Sequence, residues 1–141
     1  MKIKYTLMAI VVGTILIFLA ACDGADSTSK DPLDGTSWTL MAYRKTSPIP
    51  GTTITAAFED GRVHGSAGCN SYSGAYQISG NTITVSEIAV TEMACLEPEG
   101  VMEQETTFIQ FLSDAQTFRF TDGQLQTFAG HEALTFIPAA D

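Results

Sequence analysis

The stretch Gly68-Cys69-Asn70-Ser71-Tyr72-Ser73-Gly74-Ala75-Tyr76, taken together with Cys95, constrains this chain more than any other part of it. It joins a tight glycine turn to a cysteine and to two tyrosines four residues apart, on one face of a strand, so it can tie one hairpin covalently to a later segment. That segment is Thr91-Glu92-Met93-Ala94-Cys95. The chain has three cysteines, so which two of them pair depends on what happens to the first.

The N-terminus answers that. Lys2 and Lys4 form a short basic region, and Thr6 to Ala20 is an uncharged apolar run, short for the roughly 20 residues a spanning helix needs. Residues 1–21 therefore read as a signal peptide. Leu19-Ala20-Ala21-Cys22 has the form of a lipobox, in which the thiol of Cys22 takes a diacylglyceryl group before cleavage makes it the first residue. The alternative, an uncleaved anchor with a chance cysteine, lacks the length and flanking charges of a stop-transfer helix. With Cys22 lipidated and the chain exported to an oxidising compartment, Cys69 and Cys95 are left to pair with each other. Their bridge closes a loop of about 26 residues, worth roughly 3.5 kcal/mol in the chain-entropy account. Two reduced, buried thiols would suit a cytosolic protein better.

Residues 22–34 then read as a lipidated cysteine and a flexible tether, because Asp23 to Asp34 is polar, poor in large apolar residues and broken by Pro32. Residues 35–138 suit one domain with one core. Removing Lys2 and Lys4 leaves five basic residues against 16 acidic ones, a formal −11. Such a balance disfavours nucleic acid and anionic headgroups, so membrane attachment falls to the acyl chains on Cys22. It is compatible with a cationic partner, although net charge bears first on solubility.

Along the chain, Trp38, Leu40 and Ala42 share one face of a first strand, with Trp38 a core residue. Asp60-Gly61, Gly80-Asn81 and Asp122-Gly123 mark hairpins, and Ala133 to Ile137 is expected as a last strand after a turn at Gly130-His131. Strand-turn-strand units at this spacing predict an antiparallel sheet that curls into a barrel or sandwich. One helix interrupts them, with Pro98 in its first turn, Glu97, Glu99 and Glu103 at its N-terminal end, and Val101, Phe108, Ile109 and Leu112 on one side, Phe111 at the margin. Glu105 points into that apolar stripe, where an unpaired carboxylate is costly. It is expected to be satisfied by Arg44, Arg62, Arg119 or backbone amides, as a structural ion pair or cap rather than a catalytic acid.

Leu33-x-Gly35-x-x-Trp38-x-Leu40, Gly65-x-x-Gly68-Cys69-Asn70-x-Tyr72-x-Gly74-x-Tyr76, Thr91-x-Met93-Ala94-Cys95 and Glu105-x-x-Phe108-x-x-x-Leu112, followed by Leu125 and Leu134-x-Phe136, resemble the META domain, the family of the HslJ heat-shock lipoprotein. The resemblance spans Leu33 to Ile137. It implies a small, mainly antiparallel β-barrel-like domain (α+β) with one packed helix. It also implies a role in the envelope linked to stress and antibiotic tolerance, without an established reaction.

Chemistry is sparse. Ser66 between Gly65 and Gly68 falls short of a nucleophile elbow, since His64 stands where a glycine should and the context is a strand entering a hairpin. The other histidine, His131, lies in a turn, and no third group orients either one. No metal-ligand spacing or phosphate-cradling loop is present, and no cofactor is expected. Asn70 is expected to hold a turn, and Tyr72 and Tyr76 to pack in the core or at its rim. The expected protein is a non-catalytic envelope lipoprotein with a monomeric domain, anchored on the extracytoplasmic side of the inner or outer membrane and acting through an envelope protein partner. Two alternatives stand beside this reading: an inhibitor of a cationic envelope enzyme of lysozyme type, and a carrier of a small apolar ligand inside the barrel.

Overall fold

The computed structural model describes residues 30–140. The signal peptide expected over 1–21 and the lipidation site Cys22 lie outside the described residues. Eight antiparallel strands follow in sequence order around a closed barrel: β1 Thr36–Tyr43, β2 Thr55–Glu59, β3 Arg62–Ser66, β4 Ser71–Ser79, β5 Thr82–Val90, β6 Thr117–Thr121, β7 Gln124–Ala129 and β8 Glu132–Pro138. Helix α1, Val101–Ser113, enters between β5 and β6. Of the two architectures open to alternating strands, the barrel is the one formed, and β8 closes it by pairing with β1 from Trp38↔Pro138 to Tyr43↔Leu134.

Tight turns set the register. Asp60 and Gly61 take φ of 49° and 73°, and Asp122 and Gly123 take 52° and 75°, the pair of left-handed conformations that suits the twist of a two-residue hairpin. Strand alternation then sends one set of side chains inward: Trp38 and Leu40, Ala56 and Phe58, Tyr72 and Tyr76, Ile83 and Val85, and Leu134 with Phe136 are all buried. Phe58 and Tyr76 meet edge to face at 5.0 Å between centroids, and Tyr72 meets Phe108 of α1 at 5.4 Å. These side chains form one buried core, and two clefts lie beside the helix.

Three expectations are corrected. The tether does not extend to residue 34, since Leu33 is fully buried and Asp31 accepts hydrogen bonds from Leu33 N and the Tyr76 hydroxyl. Pro98 does not lie in the first turn of α1. The helix starts at Val101 after Gly100, and Pro98 follows a cis peptide bond in the preceding turn, where its carbonyl accepts from Val101 N. The buried stripe of α1 is also rotated from the expected one: Phe111 is buried and Ile109 only partly so. Gln104 and Glu105 are drawn inward by polar partners, and the helix turns to follow them.

One seam of the barrel is weak. β5 and β6 share a single register pair, Thr82↔Thr117, with backbone bonds from Ile83 N to Gln116 O and from Phe118 N to Asn81 O. Beyond it, the side of β5 that faces away from β4 looks onto α1.

Candidate functional site

The motif residues converge where α1 meets the barrel. The turn Ala67–Asn70 links β3 to β4 and is closed by Ala67 N donating to Asn70 O at 2.7 Å. Gly68 takes φ +113° there, and a Cβ on it would lie 3.2 Å from Gln104 Nε2 and 3.7 Å from Val101 Cγ2. A side chain would therefore be strained by the backbone and would press on the helix. Ser66 Oγ accepts from Gly68 N at 3.2 Å, which makes this hydroxyl a turn cap. His64 is exposed on β3.

Asn70 is 2% exposed and occupies the centre. Its Nδ2 donates to Glu105 Oε1 at 2.8 Å and to Met93 O at 3.1 Å, while its Oδ1 accepts from Thr91 Oγ1 at 2.8 Å and Met93 N at 2.7 Å. Two donors and two acceptors exhaust a carboxamide. The main-chain N–H of Asn70 donates to Glu105 Oε2 at 2.7 Å, so both carboxylate oxygens are occupied. Glu105 is thus satisfied by amides, and no arginine reaches it. Arg44 pairs with Glu132 at 2.6 Å, Arg119 donates to Gln126 at 2.9 Å, and Arg62 is directed to Ser73. All three are exposed, and the carboxylate is buried where α1 meets the Ala67–Asn70 turn.

Gln104, which the sequence reading did not single out, performs the companion task. Its Oε1 accepts from Ile49 N at 2.6 Å and its Nε2 donates to Thr52 Oγ1 at 3.0 Å, fastening α1 to the long β1–β2 connection. The signal was present: Gln104 falls on the apolar side of α1 next to Glu105, and a buried amide there demands partners. The disulfide Cys69–Cys95, with Cα atoms 6.0 Å apart, adds a covalent clasp beside this network. Four segments, namely the Gly68-Cys69-Asn70 turn, residues 91–95, the β1–β2 connection and α1, are held at one point.

The remaining motif residues sit nearby in the barrel wall. Tyr72 donates its hydroxyl to Thr55 O at 2.8 Å, and burial pushes its phenol well above the ordinary tyrosine value. Tyr76 donates to Asp31 Oδ2 at 2.6 Å, and its phenol is raised first by burial, then by that hydrogen bond and by the charges of Asp31, Asp34 and Asp60. Gly74 lies opposite a β-bulge in β5, where Glu87 takes φ 53°. A Cβ on Gly74 would come within 3.0 Å of Ser86 O. Trp38 donates Nε1 to Thr36 Oγ1 at 2.8 Å and packs against Phe120. Among the described residues no three metal-ligating side chains gather, and no buried side-chain polar atom lacks a partner.

Comparison with known proteins agrees with this fold. An NMR structure of a protein from Burkholderia xenovorans is similar, with 25% identity and a TM-score of 0.64, over 77% of this chain and 85% of that one. A second NMR structure is similar at 22% identity and a TM-score of 0.62, over 75% and 91%. The crystal structure of a DUF4847 family protein from Bacteroides vulgatus shares the fold at 13% identity and a TM-score of 0.59, over 80% and 99%. No curated protein matches the chain. The META domain family model matches residues 31–141, so the chain belongs to the META domain family.

Proposed function

We propose that this META-domain chain is a non-catalytic lipoprotein of the bacterial envelope, held to the membrane through Cys22 and serving as an interaction or support module under envelope stress or antibiotic challenge. One observation carries the non-catalytic reading. The polar side chains brought together at the motif are engaged with one another and with the main chain: Asn70 bonds Glu105, Thr91 and the N–H and C=O of Met93, and each oxygen of Glu105 accepts from Asn70. Groups engaged in this way hold a surface in shape, which supports a structural role for the motif over a catalytic one.

Titrating the protein in a deletion strain under envelope stress tests the reading. Survival should rise in proportion to copy number, and Cys22→Ser should release the protein from membranes and lower survival. Full protection at a small fraction of the normal level would point to turnover, and membrane retention of Cys22→Ser would remove the lipid anchor.

A second reading has an observation in its favour. The cleft between α1 and the end of β5 is lined by the exposed Glu87 and Glu92 and by no Lys, Arg or His, which suits inhibition of a cationic envelope enzyme. A carrier role gains no such support, because both clefts described lie beside the helix.

A further inference from the structure

The geometry points to the free edge of β5 as a docking site for an extended, basic segment of another protein, added as a further strand in the cleft beside α1. This deepens the interaction reading above and rests on it. The register fixes which backbone groups are available. Thr91 N donates to Ser71 O, so Thr91/Ser71 and, two residues back, Ala89↔Ser73 are the hydrogen-bonded pairs with β4. Tyr72↔Val90 is the alternate kind of pair, and the N–H and C=O of Val90 and Ile88 point away from β4. No strand lies on that side, because β6 meets β5 at Thr82 alone. The bulge at Glu87 confines the free edge to Ile88 and the residues after it.

The edge opens into a cleft of about 760 Å³ whose far wall is α1. A second cleft of about 850 Å³ shares Thr106, Gln110 and Ser113 with it, so a trench continues along the helix. Unpaired edges are normally guarded by lysine or proline. Here the flanking residues are apolar or acidic. Met93 and Met102 line the cleft at 57% and 36% exposure, and Glu87 and Glu92 supply the charge. A strand with alternating basic and small apolar side chains fits, with backbone bonds for affinity and the glutamates for selection. A second copy of this chain would bring the same negative wall against itself. Residues 23–29 carry two aspartates and no basic residue, so they offer no cation to these glutamates.

The test uses the full chain in detergent with a six-residue acetylated peptide of alternating lysine and valine, followed by amide hydrogen exchange and titration. The peptide should protect the amides of Ile88 and Val90. N-methylation of its alternate amides, or the double substitution Glu87→Lys with Glu92→Lys, should weaken binding by about tenfold or more. Val90→Pro, which removes the outward-facing N–H together with a partly buried side chain, should do the same, with retention of the fold checked by circular dichroism. The N-methylated peptide keeps the test decisive even where a variant fails to fold. Equal binding of the methylated or of a glutamate–valine peptide, protection elsewhere, or protection of Ile88 and Val90 before peptide is added would each overturn the inference. The survival titration above then judges the broader interaction reading by itself.

Discussion

Replacing one atom of Asn70 puts the largest demand on the network. Asn70→Asp keeps the shape of the side chain and exchanges Nδ2 for an oxygen. The bond from Nδ2 to Glu105 Oε1 at 2.8 Å is lost, about 1.5–3 kcal/mol for a bond to a charged group, and so is the bond to Met93 O, about 1 kcal/mol. The new oxygen then faces a carboxylate across that same distance in a buried site, a repulsion of several kcal/mol that is limited because the pair can take up a proton. We expect a net loss of about 4 kcal/mol at pH 7, which for a domain of this size lowers Tm by about 15 °C. The sign with pH follows from linkage. The introduced carboxyl has a folded pKa above its unfolded value, so the penalty is complete above the folded pKa and fades as pH falls toward the ordinary value of about 4. Urea unfolding followed by circular dichroism at pH 7.5 and pH 5 measures both. A loss below about 1 kcal/mol, or a penalty that grows as pH falls, would refute the network as the fastening of the helix.

Other outcomes follow from the same geometry. Gly68→Ala should cost about 1–3 kcal/mol in chemical denaturation, from its positive φ and its pressure on Gln104, with secondary structure kept by circular dichroism. Reduction of Cys69–Cys95 should lower stability by about 2–4 kcal/mol, read as the shift in urea midpoint with and without reductant. Because folding raises the phenols of both Tyr72 and Tyr76, the native state holds protons that the unfolded chain releases above pH 10, so stability should fall as pH rises through that value. Tyrosinate absorbance of these two residues should then appear together with unfolding and not before it.

The hairpins were legible because Asp-Gly and Gly-Asn turns act locally: their two residues and the alternation beside them determine where strands start and which way side chains point. Closure of the barrel was not legible, because Trp38 and Pro138 lie a chain length apart and nothing near either residue reports the other. The anomaly at Glu105 was visible as a carboxylate in an apolar stripe, yet its partner was not, since an arginine and a backbone amide satisfy the same charge and only tertiary geometry selects between them. Gln104 is inconspicuous in the sequence for a related reason: an amide is an ordinary helix residue until a loop 55 positions earlier comes to meet it. Leu33 shows the reverse error. Polar neighbours on both sides made residues 31–34 read as tether, while a single buried leucine and one aspartate bound to Tyr76 were enough to fix them.

Amide exchange at Asn70 tests the account most directly. Its N–H donates to a buried carboxylate at the junction of four segments, so in the native protein it should exchange only through global unfolding, at the rate of the slowest core amides. Exchange at the rate of surface-loop amides would show that the junction opens by itself, and the motif would then no longer be what locks the helix to the barrel.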